Sequence, residues 1–355
     1  MKVLIAAGGT GGHIYPGIAI ANEIMARDAE SEVLFVGTAR GLEKKIVPDN
    51  GYQLSLINSA GLKGVGVAAK VKGLAVLPQS FLEARRIIRQ FRPHVVVGAG
   101  GYVSGPVLLM AKIMGVPTLV MDSNALPGFT NRQLARFVDK AALTFAEALP
   151  YFGKKGVVTG NPVRNEFFEI PDKVRGDRTH ILIFGGSQGA RAINNAMIEA
   201  LDKLDENITI THQTGEADFE SIRAAYDKSK FAESDVRPFI SDIFVEFEKA
   251  DLIICRAGAT TCAEIAAAGR PAIMVPFPLA ADDHQRKNAE AMQTGGAVKM
   301  ILQKDLTGDV LANEIKELTG SSETLTEMSR SARKMGRKDA ASETVDIIEE
   351  LKRNV

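Results

Sequence analysis

The sequence has few of the residues that make covalent or metal cross-links. Only two of its 355 residues are cysteines. Cys255 and Cys262 lie seven residues apart in an apolar stretch, and this pattern favours packed free thiols over a disulfide or a metal pair. The five histidines show neither H-x-x-x-H nor H-E-x-x-H spacing, and no D-x-D pair occurs. The sequence therefore predicts no metal site, and its free thiols suit a reducing cytoplasm.

Long apolar runs are also missing. A long uncharged run, residues 95–111, contains four glycines and a proline, so it predicts a strand, a loop and a helix. The first apolar segment, Lys2 to Ala7, is shorter than the core of a signal peptide and is expected to be a buried strand. We expect a soluble protein that at most sits on a membrane surface.

Net charge is absent as well, but the charges are unevenly placed. Residues 1–160 carry 18 Lys and Arg against 10 Asp and Glu, whereas the remaining residues carry 25 against 33. A basic half indicates an anionic partner, and here we favour an anionic membrane surface over nucleic acid. The alternative is a helix that buries its aliphatic residues and solvates its charges. The basic residues concerned alternate with aliphatic ones and are Lys63, Lys70, Lys72, Arg85, Arg86, Arg89 and Arg92.

Two common nucleotide-binding signatures are missing. The first strand is followed by GGTGGH rather than G-x-G-x-x-G, and the second strand, EVLFVGTAR, ends without an acidic residue. Arg40 is the only hint of a partner for a 2′-phosphate. No G-x-x-x-x-G-K-[ST] loop occurs. These absences count against a nicotinamide or flavin enzyme and against phosphoryl transfer from ATP.

What is present is a regular alternation of strand-like runs and helix-length segments. This alternation begins again at THILIFGGSQGARAINNAM. It predicts an α/β protein with two Rossmann-like, doubly wound domains facing a cleft, comprising residues 1–163 and 164–339, with a last helix in 340–355 that packs on the first domain. After the first strand, the predicted strands are Val33–Gly37, Val95–Gly98, Thr118–Met121, Ala142–Phe145, Ile208–His212, Asp235–Pro238, Leu252–Cys255 and Ala272–Val275.

Each predicted domain starts with a glycine-rich loop between a strand and a helix. The first loop contains Gly8, Gly9, Gly11 and Gly12, and its helix is expected to open at about Pro16. The second contains Gly185, Gly186 and Gly189. Glycines admit close backbone approach and a helix start offers free N–H groups, so both loops predict an anion site, most often for phosphate. The alternative is a tight turn without a ligand.

The segment CRAGATTCAEIAAAG carries a third strand-to-helix junction. Thr260 and Thr261 fall in the first turn of the predicted helix, and Glu264 follows within one turn. The helix start would present N–H groups to a diphosphate, while the carboxylate would accept two hydrogen bonds from a ribose diol. A simple capping pattern between a threonine and Glu264 is the alternative.

Six motifs in this order, GGTGGHIYPG, GGYVSGP, TGNPVR, GGSQGAR, CRAGATTCAEIAAAG and DDHQRKNA, resemble the MurG family. These are bacterial enzymes of peptidoglycan synthesis that convert lipid I into lipid II. The resemblance implies the GT-B glycosyltransferase fold, UDP-N-acetylglucosamine as donor, lipid I as acceptor and no metal or other cofactor. It also implies a peripheral location at the cytoplasmic face of the bacterial cell membrane.

Matching motif to motif, the resemblance also implies roles for single residues. Acceptor binding is assigned to the GGYVSGP loop with Gly101, Tyr102 and Ser104, although Tyr102 alone is equally typical of a half-buried surface aromatic. The family commonly has H-E-x-N where this chain has Met121-Asp122-Ser123-Asn124, which puts any role of the residues before Asn124 in doubt. The implied donor-binding residues are Thr10, Gly11, Gly12, Asn124, Arg164, Ser187, Ile243, Ala259, Thr260, Thr261, Glu264 and Gln285.

The implied reaction is a single inverting displacement. The 4-hydroxyl of the muramyl sugar attacks the anomeric carbon of the donor as UDP leaves, which requires a base and relief of the charge on the leaving group. His13 is the candidate base, and its alternative role is to donate a hydrogen bond to substrate. Two rival hypotheses are a UDP-N-acetylglucosamine epimerase-like enzyme and a non-catalytic module that binds a nucleotide sugar or a lipid.

Overall fold

The computed structural model describes residues 1–9, 11–39, 41–59, 67–186 and 188–353, with residues 67–75 described by their backbone alone. The chain forms two compact units, one of Met1–Val163 with Arg337–Val355 and one of Arg164–Gly336. Several residues named above lie outside the described residues: Thr10, Arg40, Lys63 and Ser187, and the side chains of Lys70 and Lys72.

Unit 1 contains a seven-stranded, all-parallel sheet in the order β3-β2-β1-β4-β5-β6-β7. Its strands are β1 Lys2–Ala7, β2 Glu32–Gly37, β3 Gln53–Leu56, β4 Val95–Gly100, β5 Thr118–Asp122, β6 Lys140–Leu143 and β7 Gly156–Val158. Its helices are α1 Gly11–Arg27, α2 Glu43–Asp49, α3 Val67–Phe91, α4 Ser104–Ile113, α5 Phe129–Leu134, α6 Leu149–Phe152 and, from the C-terminal segment, α15 Ala340–Arg353.

Helices cover both faces of this sheet, which explains why its central strands are continuously apolar. Val3 and Ile5 of β1 belong to the apolar cluster that α1 and α15 complete. Leu4 and Ala6, on the other face, belong to the cluster that α3 and α4 complete. The C-terminal helix is thus part of the core of unit 1.

Helix α1 begins at Gly11, five residues before the predicted start near Pro16, so that prediction is wrong. Pro16 lies inside the helix, where it removes the hydrogen bond that residue 16 would donate to the Gly12 carbonyl and costs about 3 kcal/mol. Ile14, Ile18 and Ile20 are buried along the same helix, and the burial of each is worth about 1.5–3 kcal/mol, which together exceeds that cost. Gly11 and Gly12 are therefore helical residues at the positive end of α1.

Unit 2 repeats the plan with a six-stranded parallel sheet in the order β10-β9-β8-β11-β12-β13. Its strands are β8 Thr179–Phe184, β9 Ile208–Gln213, β10 Asp235–Arg237, β11 Leu252–Cys255, β12 Ala272–Met274 and β13 Val298–Met300. Its helices are α7 Glu166–Glu169, α8 Arg191–Ala200, α9 Phe219–Asp227, α10 Ile243–Lys249, α11 Ala259–Ala268, α12 His284–Thr294, α13 Gly308–Thr319 and α14 Ser322–Met335.

Three strands were not predicted, and all three lie at sheet edges. Strand β3 has four residues, half-exposed and alternately polar, while β7 and β13 have three residues each. Such short edge segments lack the apolar run that marks a buried strand. Strand β6 also begins two residues before its predicted position at Ala142.

Within the described residues, no helix combines the length and the apolarity needed to cross a membrane.

Candidate active site

The first glycine loop of unit 1 is fixed by a hydrogen bond to a buried carboxylate. Glu43, at the start of α2, has no exposed surface. Its Oε2 accepts a hydrogen bond from the Gly9 N–H at 3.0 Å, and its Oε1 accepts from the Thr38 N–H at 2.8 Å and the Thr38 hydroxyl at 2.9 Å. Burial opposes ionisation, but these hydrogen bonds from Thr38 and Gly9 hold the pKa of Glu43 below its ordinary value.

Three glycines leave room for this side chain. A Cβ at Gly8 would lie 3.0 Å from Glu43 Oε1, and one at Gly37 or Gly41 would overlap the Glu43 side chain. Glu43 was not predicted from the sequence, because the glycine loop that it binds lies 34 residues away along the chain. The signal available was the presence of these glycines around the ends of two adjacent strands.

His13 lies in the first turn of α1 and contacts the loop that follows β4. Gly100 has φ +121°, and a Cβ there would lie 2.3 Å from His13 Nδ1. Gly101 has φ +79°, and its Cβ would overlap the Gly8 carbonyl. Only glycine fits at either position, so the GGTGGH and GGYVSGP motifs form one packed surface at the carboxyl ends of β1 and β4.

Ser104 and Tyr102, both predicted acceptor contacts, differ in exposure. The Ser104 hydroxyl is fully buried, accepts from the Gly100 N–H at 3.0 Å and lies 3.0 Å from the Ala6 carbonyl. It therefore holds the turn of its own loop. Tyr102 is 58% exposed, so its ring is available at the surface.

Asp122 fixes the segment that contains Asn124. Asp122 is buried, and its carboxylate accepts hydrogen bonds from the Asn124 N–H at 3.0 Å, the Gly128 N–H at 3.1 Å and Asn131 Nδ2 at 2.9 Å. Burial raises its pKa to about 6, although these donors oppose the shift. The acid before Asn124 thus shapes the loop, and Asn124 itself is half-buried.

In unit 2, the N-cap residue of helix α11 is Gly258, which has no side chain to cap the helix. Thr260 and Thr261 lie inside the first turn and not at the N-cap position. The capping alternative for this motif is therefore wrong. The Thr260 hydroxyl is buried and lacks a hydrogen-bond partner within the described part of the chain. A buried hydroxyl normally has a partner, so this one is suited to a ligand.

Glu264 lies one turn further along α11 with its carboxylate near Arg164. Burial raises the pKa of Glu264 to about 7, while the charge of Arg164 opposes the shift. Arg164 is exposed, and its guanidinium stacks at 5.2 Å over Phe167 and at 5.5 Å over Phe244. Phe244 follows Ile243 at the start of α10. Three predicted donor-binding residues, Glu264, Arg164 and Ile243, therefore lie in one region of unit 2.

Gln285 lies in the first turn of α12, beside an unusual backbone. Asp282 and Asp283, which precede that helix, have φ of +57° and +56°. Gln285 Oε1 accepts from the Phe277 N–H at 2.9 Å. Asn288 on the same helix donates to the Ala257 carbonyl at 3.2 Å, which fixes the start of α12 to the turn before α11.

Neither cysteine has the environment of a reactive group. Cys255 and Cys262 are free and buried, and burial raises the pKa of Cys262 to about 12. Both therefore stay protonated and pack as small apolar residues, as predicted. Among the described residues, no group of three or more His, Cys, Asp or Glu side chains could hold a metal ion.

The second unit thus gathers a free helix N-terminus, an unpartnered hydroxyl, a carboxylate and a guanidinium. N–H groups and the guanidinium suit a diphosphate, and the carboxylate suits a pair of vicinal hydroxyls. Two Rossmann-like domains carrying such a site suit an enzyme that acts on a nucleotide sugar. Residues 3–143 match the glycosyltransferase family 28 N-terminal domain, and residues 180–344 match the glycosyltransferase family 28 C-terminal domain. These two matches define the class: a glycosyltransferase of the GT-B fold.

Relatives identify the family within this class. A "UDP-N-acetylglucosamine--N-acetylmuramyl-(pentapeptide) pyrophosphoryl-undecaprenol N-acetylglucosamine transferase" of Syntrophus aciditrophicus is 48% identical over 98% of this chain and 97% of its own. The crystal structure of Acinetobacter baumannii MurG is 34% identical and has a TM-score of 0.81 over 98% of this chain and 99% of its own. The chain therefore belongs to the MurG family of N-acetylglucosaminyltransferases.

The fold extends to more distant proteins. A putative UDP-N-acetylglucosamine 2-epimerase from Listeria monocytogenes has a TM-score of 0.72 over 100% of this chain and 97% of its own, but it is 16% identical. At that identity the likeness concerns the fold alone. The epimerase hypothesis therefore has less support than the transferase one.

Proposed function

We propose that this chain transfers N-acetylglucosamine from UDP-N-acetylglucosamine to the 4-hydroxyl of the muramyl sugar of lipid I, giving lipid II for peptidoglycan synthesis. The observation that carries the proposal is the α11 junction, where the unpartnered Thr260 hydroxyl and Glu264 follow an uncapped helix start. The substrates are those named for the relatives that are similar over nearly the whole chain.

The donor is assigned to unit 2. The first-turn N–H groups of α11, with Ala259, Thr260 and Thr261, bind the diphosphate, and Arg164 adds a positive charge as UDP leaves. Glu264 accepts hydrogen bonds from the ribose diol. Ser187 belongs to this set by its motif, as do Ile243 near the uracil and Gln285 on the sugar.

Unit 1 supplies the chemistry at the acceptor. The acceptor 4-hydroxyl oxygen bonds to the anomeric carbon, the bond from that carbon to the UDP oxygen breaks, and the electron pair leaves with UDP. His13 takes the hydroxyl proton in this step. Thr10, Gly11, Gly12 and Asn124 contribute to the sugar site, and Gly101 and Tyr102 contact the acceptor. The buried Ser104 acts by holding the turn of its loop.

The test is UDP release from UDP-N-acetylglucosamine, measured with and without a lipid I analogue, alongside transfer of the sugar to that analogue. UDP release that depends on the acceptor and equals the amount of product supports the transferase. Turnover without acceptor favours an epimerase-like enzyme. Binding without turnover favours a module that only holds the nucleotide sugar.

We also propose that unit 1 associates peripherally with the cytoplasmic face of the membrane. Leu82 on α3 is 65% exposed and Ile113 on α4 is 68% exposed, and these two helices pack together. Arg85, Arg86 and Arg89 lie on the same stretch of α3. Apolar side chains beside cations favour an anionic bilayer surface.

Vesicle sedimentation tests this association. Binding to vesicles of phosphatidylglycerol should weaken with salt, and the Leu82→Glu and Ile113→Glu double variant should bind less. The control is Val174→Glu in unit 2, where the replaced side chain is 90% exposed. Equal binding of all three proteins would contradict the proposed surface.

A further inference from the structure

Gln213 joins two segments of unit 2 through its side-chain amide. It is the last residue of β9 and is 4% exposed. Its Nε2 donates to the Gly186 carbonyl at 2.9 Å, inside the second glycine loop. Its Oε1 accepts from the Ile240 N–H at 2.9 Å, in the segment between β10 and α10. The side-chain amide therefore binds the glycine loop through its Nε2 and the segment before α10 through its Oε1.

The sheet order explains why this residue can reach both sides. Strand β9 lies between β8, which leads into the glycine loop, and β10, which leads into the segment 238–242. The next residues of the chain extend the same contact, since the Thr214 N–H donates to the Arg237 carbonyl and the Gly215 N–H to the Pro238 carbonyl. Gly189 also packs against the Thr214 carbonyl so closely that a Cβ would not fit.

In their described residues neither segment is helix or strand, and the loop has one turn hydrogen bond of its own, from the Gly189 N–H to the Gly186 carbonyl at 2.9 Å. Gly186 has φ +89° and is exposed, and Ile240 lies three residues before α10 begins. The Ile240 N–H is buried, so the loss of its acceptor would leave an unsatisfied donor. Together with the contacts of Thr214 and Gly215, the amide of Gln213 thus helps to fix the distance between the glycine loop and the start of α10.

We infer that Gln213 is a positioning residue for the nucleotide: it sets the spacing between the phosphate-binding loop and the segment that receives the base. This inference rests on the proposed function, which assigns the Ser187 loop to phosphate and Ile243 to uracil. Gln213 is 4% exposed, so its proposed effect on the phosphate and on the base acts through these two segments. A ligand that spans both segments should depend on it more than a ligand that occupies only one.

The experiment compares the binding of UDP and of uridine by isothermal titration calorimetry. In Gln213→Met, which keeps the length of the side chain and removes both hydrogen bonds, the Kd for UDP should rise about tenfold, the cost of roughly one well-placed hydrogen bond. The Kd for uridine should change less. Gln213→Asn is one methylene shorter and cannot reach both partners, so it should show the same pattern and covers the case in which the methionine variant does not fold.

Gln293→Met is the matched control. Gln293 Oε1 accepts from the Met300 N–H at 2.8 Å near the far end of α12, so the control also removes one bond to a main-chain N–H in unit 2. It should lower the melting temperature without changing the Kd for UDP. Equal losses for UDP and uridine, equal losses in the Gln213 and Gln293 variants, or no loss in any variant would overturn the inference while the proposed function stands. Failure of the wild-type chain to bind UDP would overturn both.

Discussion

The two glycine loops occupy equivalent places in the two units, but the residue that holds each loop differs in charge. In unit 1, Glu43 accepts the Gly9 N–H with a buried carboxylate. In unit 2, Gln213 donates to the Gly186 carbonyl with a neutral amide. Each side chain reaches its loop from the side of the adjacent strand, β2 in one unit and β9 in the other.

This difference in charge indicates different ligands. The buried carboxylate of Glu43 accepts a hydrogen bond from the Gly9 N–H, so that N–H is no longer available to a ligand. Its negative charge also offsets the positive end of the α1 dipole, so a diphosphate is disfavoured at the first loop. The amide of Gln213 donates a hydrogen bond to the Gly186 carbonyl and carries no charge, so it does not repel an anion from the second loop. We therefore expect the first loop to serve neutral sugar groups and the acceptor hydroxyl, and the second to serve the diphosphate.

The largest effect should come from His13. If unit 1 performs the proton transfer, His13→Ala should lower kcat by about 10²–10⁴-fold, the usual contribution of a general base. The Kd for UDP should not change, because the nucleotide is assigned to unit 2. Steady-state kinetics with a lipid I analogue and calorimetry with UDP measure the two quantities.

His94→Gln is the control for this variant. His94 is exposed at the amino end of β4, where its Nδ1 accepts from the Lys2 N–H at 2.9 Å. It should keep full activity. A loss of less than about tenfold in His13→Ala would rule out the role of base, since such catalysis is worth more.

Glu43→Gln tests the charge below the first loop. The variant keeps the shape of the side chain, but its Nε2 would face the Gly9 or Thr38 N–H groups, so at least one bond is lost. We expect kcat to fall by about 10–100-fold, matching the ~1–3 kcal/mol cost of an unsatisfied buried donor. The Kd for UDP should remain at its wild-type value.

Gly41→Ala should behave in the same way, because its Cβ would displace the carboxylate of Glu43. The control is Glu23→Gln, which removes a half-buried carboxylate that pairs with Arg27 on α1. If Glu43→Gln weakened UDP binding as strongly as it lowered kcat, the two loops would not have separate ligands.

Glu264 gives the second unit a pH dependence. Its pKa of about 7 means that the carboxylate is protonated in part at neutral pH. In the proposed donor site the charged form accepts hydrogen bonds from the ribose hydroxyls, so, if that assignment is right, the KM for UDP-N-acetylglucosamine should rise as the pH falls through about 7. Glu264→Gln should raise KM about tenfold at pH 8, since a hydrogen bond to a charged group is lost, and should flatten the profile.

The Glu264 carboxyl should also make the free energy of unfolding depend on pH. Donor binding should improve as the pH rises, whereas the stability of the folded state should fall. A carboxyl whose pKa is raised by folding stabilises the folded state at low pH, and that contribution declines from its ordinary pKa up to about 7. Relative to Glu264→Gln, the wild-type chain should therefore lose stability between pH 4.5 and 7. Denaturant titrations at several pH values measure this, and parallel pH curves for the two proteins would contradict a raised pKa.

How far the sequence could predict these sites depended on the distance between partners along the chain. The junction of β11 and α11, with Gly258, Thr260 and Glu264, was predictable because all its residues lie within one strand-to-helix turn. Glu43 and Gln213 were missed because their contacts join segments 34 and 27 residues apart. To predict such contacts one must know the strand order, and the local periodicity of the sequence does not give it.

Local rules also erred where burial outweighed them. The preference of proline for a first helical turn placed the start of α1 near Pro16, yet the helix begins at Gly11. The burial of the isoleucines on α1, about 1.5–3 kcal/mol each, exceeds the cost of about 3 kcal/mol of an interior proline. This error mattered for the site, because His13 lies in the first turn of the helix, beside Gly100.

The smallest effect should come from Thr260, whose hydroxyl is buried without a partner among the described residues. Thr260→Val keeps the volume and removes the hydroxyl, so in the free protein it should leave the melting temperature equal or slightly higher, because an unsatisfied polar group is costly. If the second unit reserves this hydroxyl for the diphosphate, the Kd for UDP should rise by about fivefold, the loss of one neutral hydrogen bond.

Thr319→Val is the matched control, since the Thr319 hydroxyl donates to the Ile315 carbonyl at 2.8 Å within α13. It should leave UDP binding intact. A Thr260→Val protein that is less stable and binds UDP normally would mean that the hydroxyl serves the fold, and the diphosphate would then depend on the other groups assigned to it in the second unit, chiefly the N–H groups of α11 and Arg164.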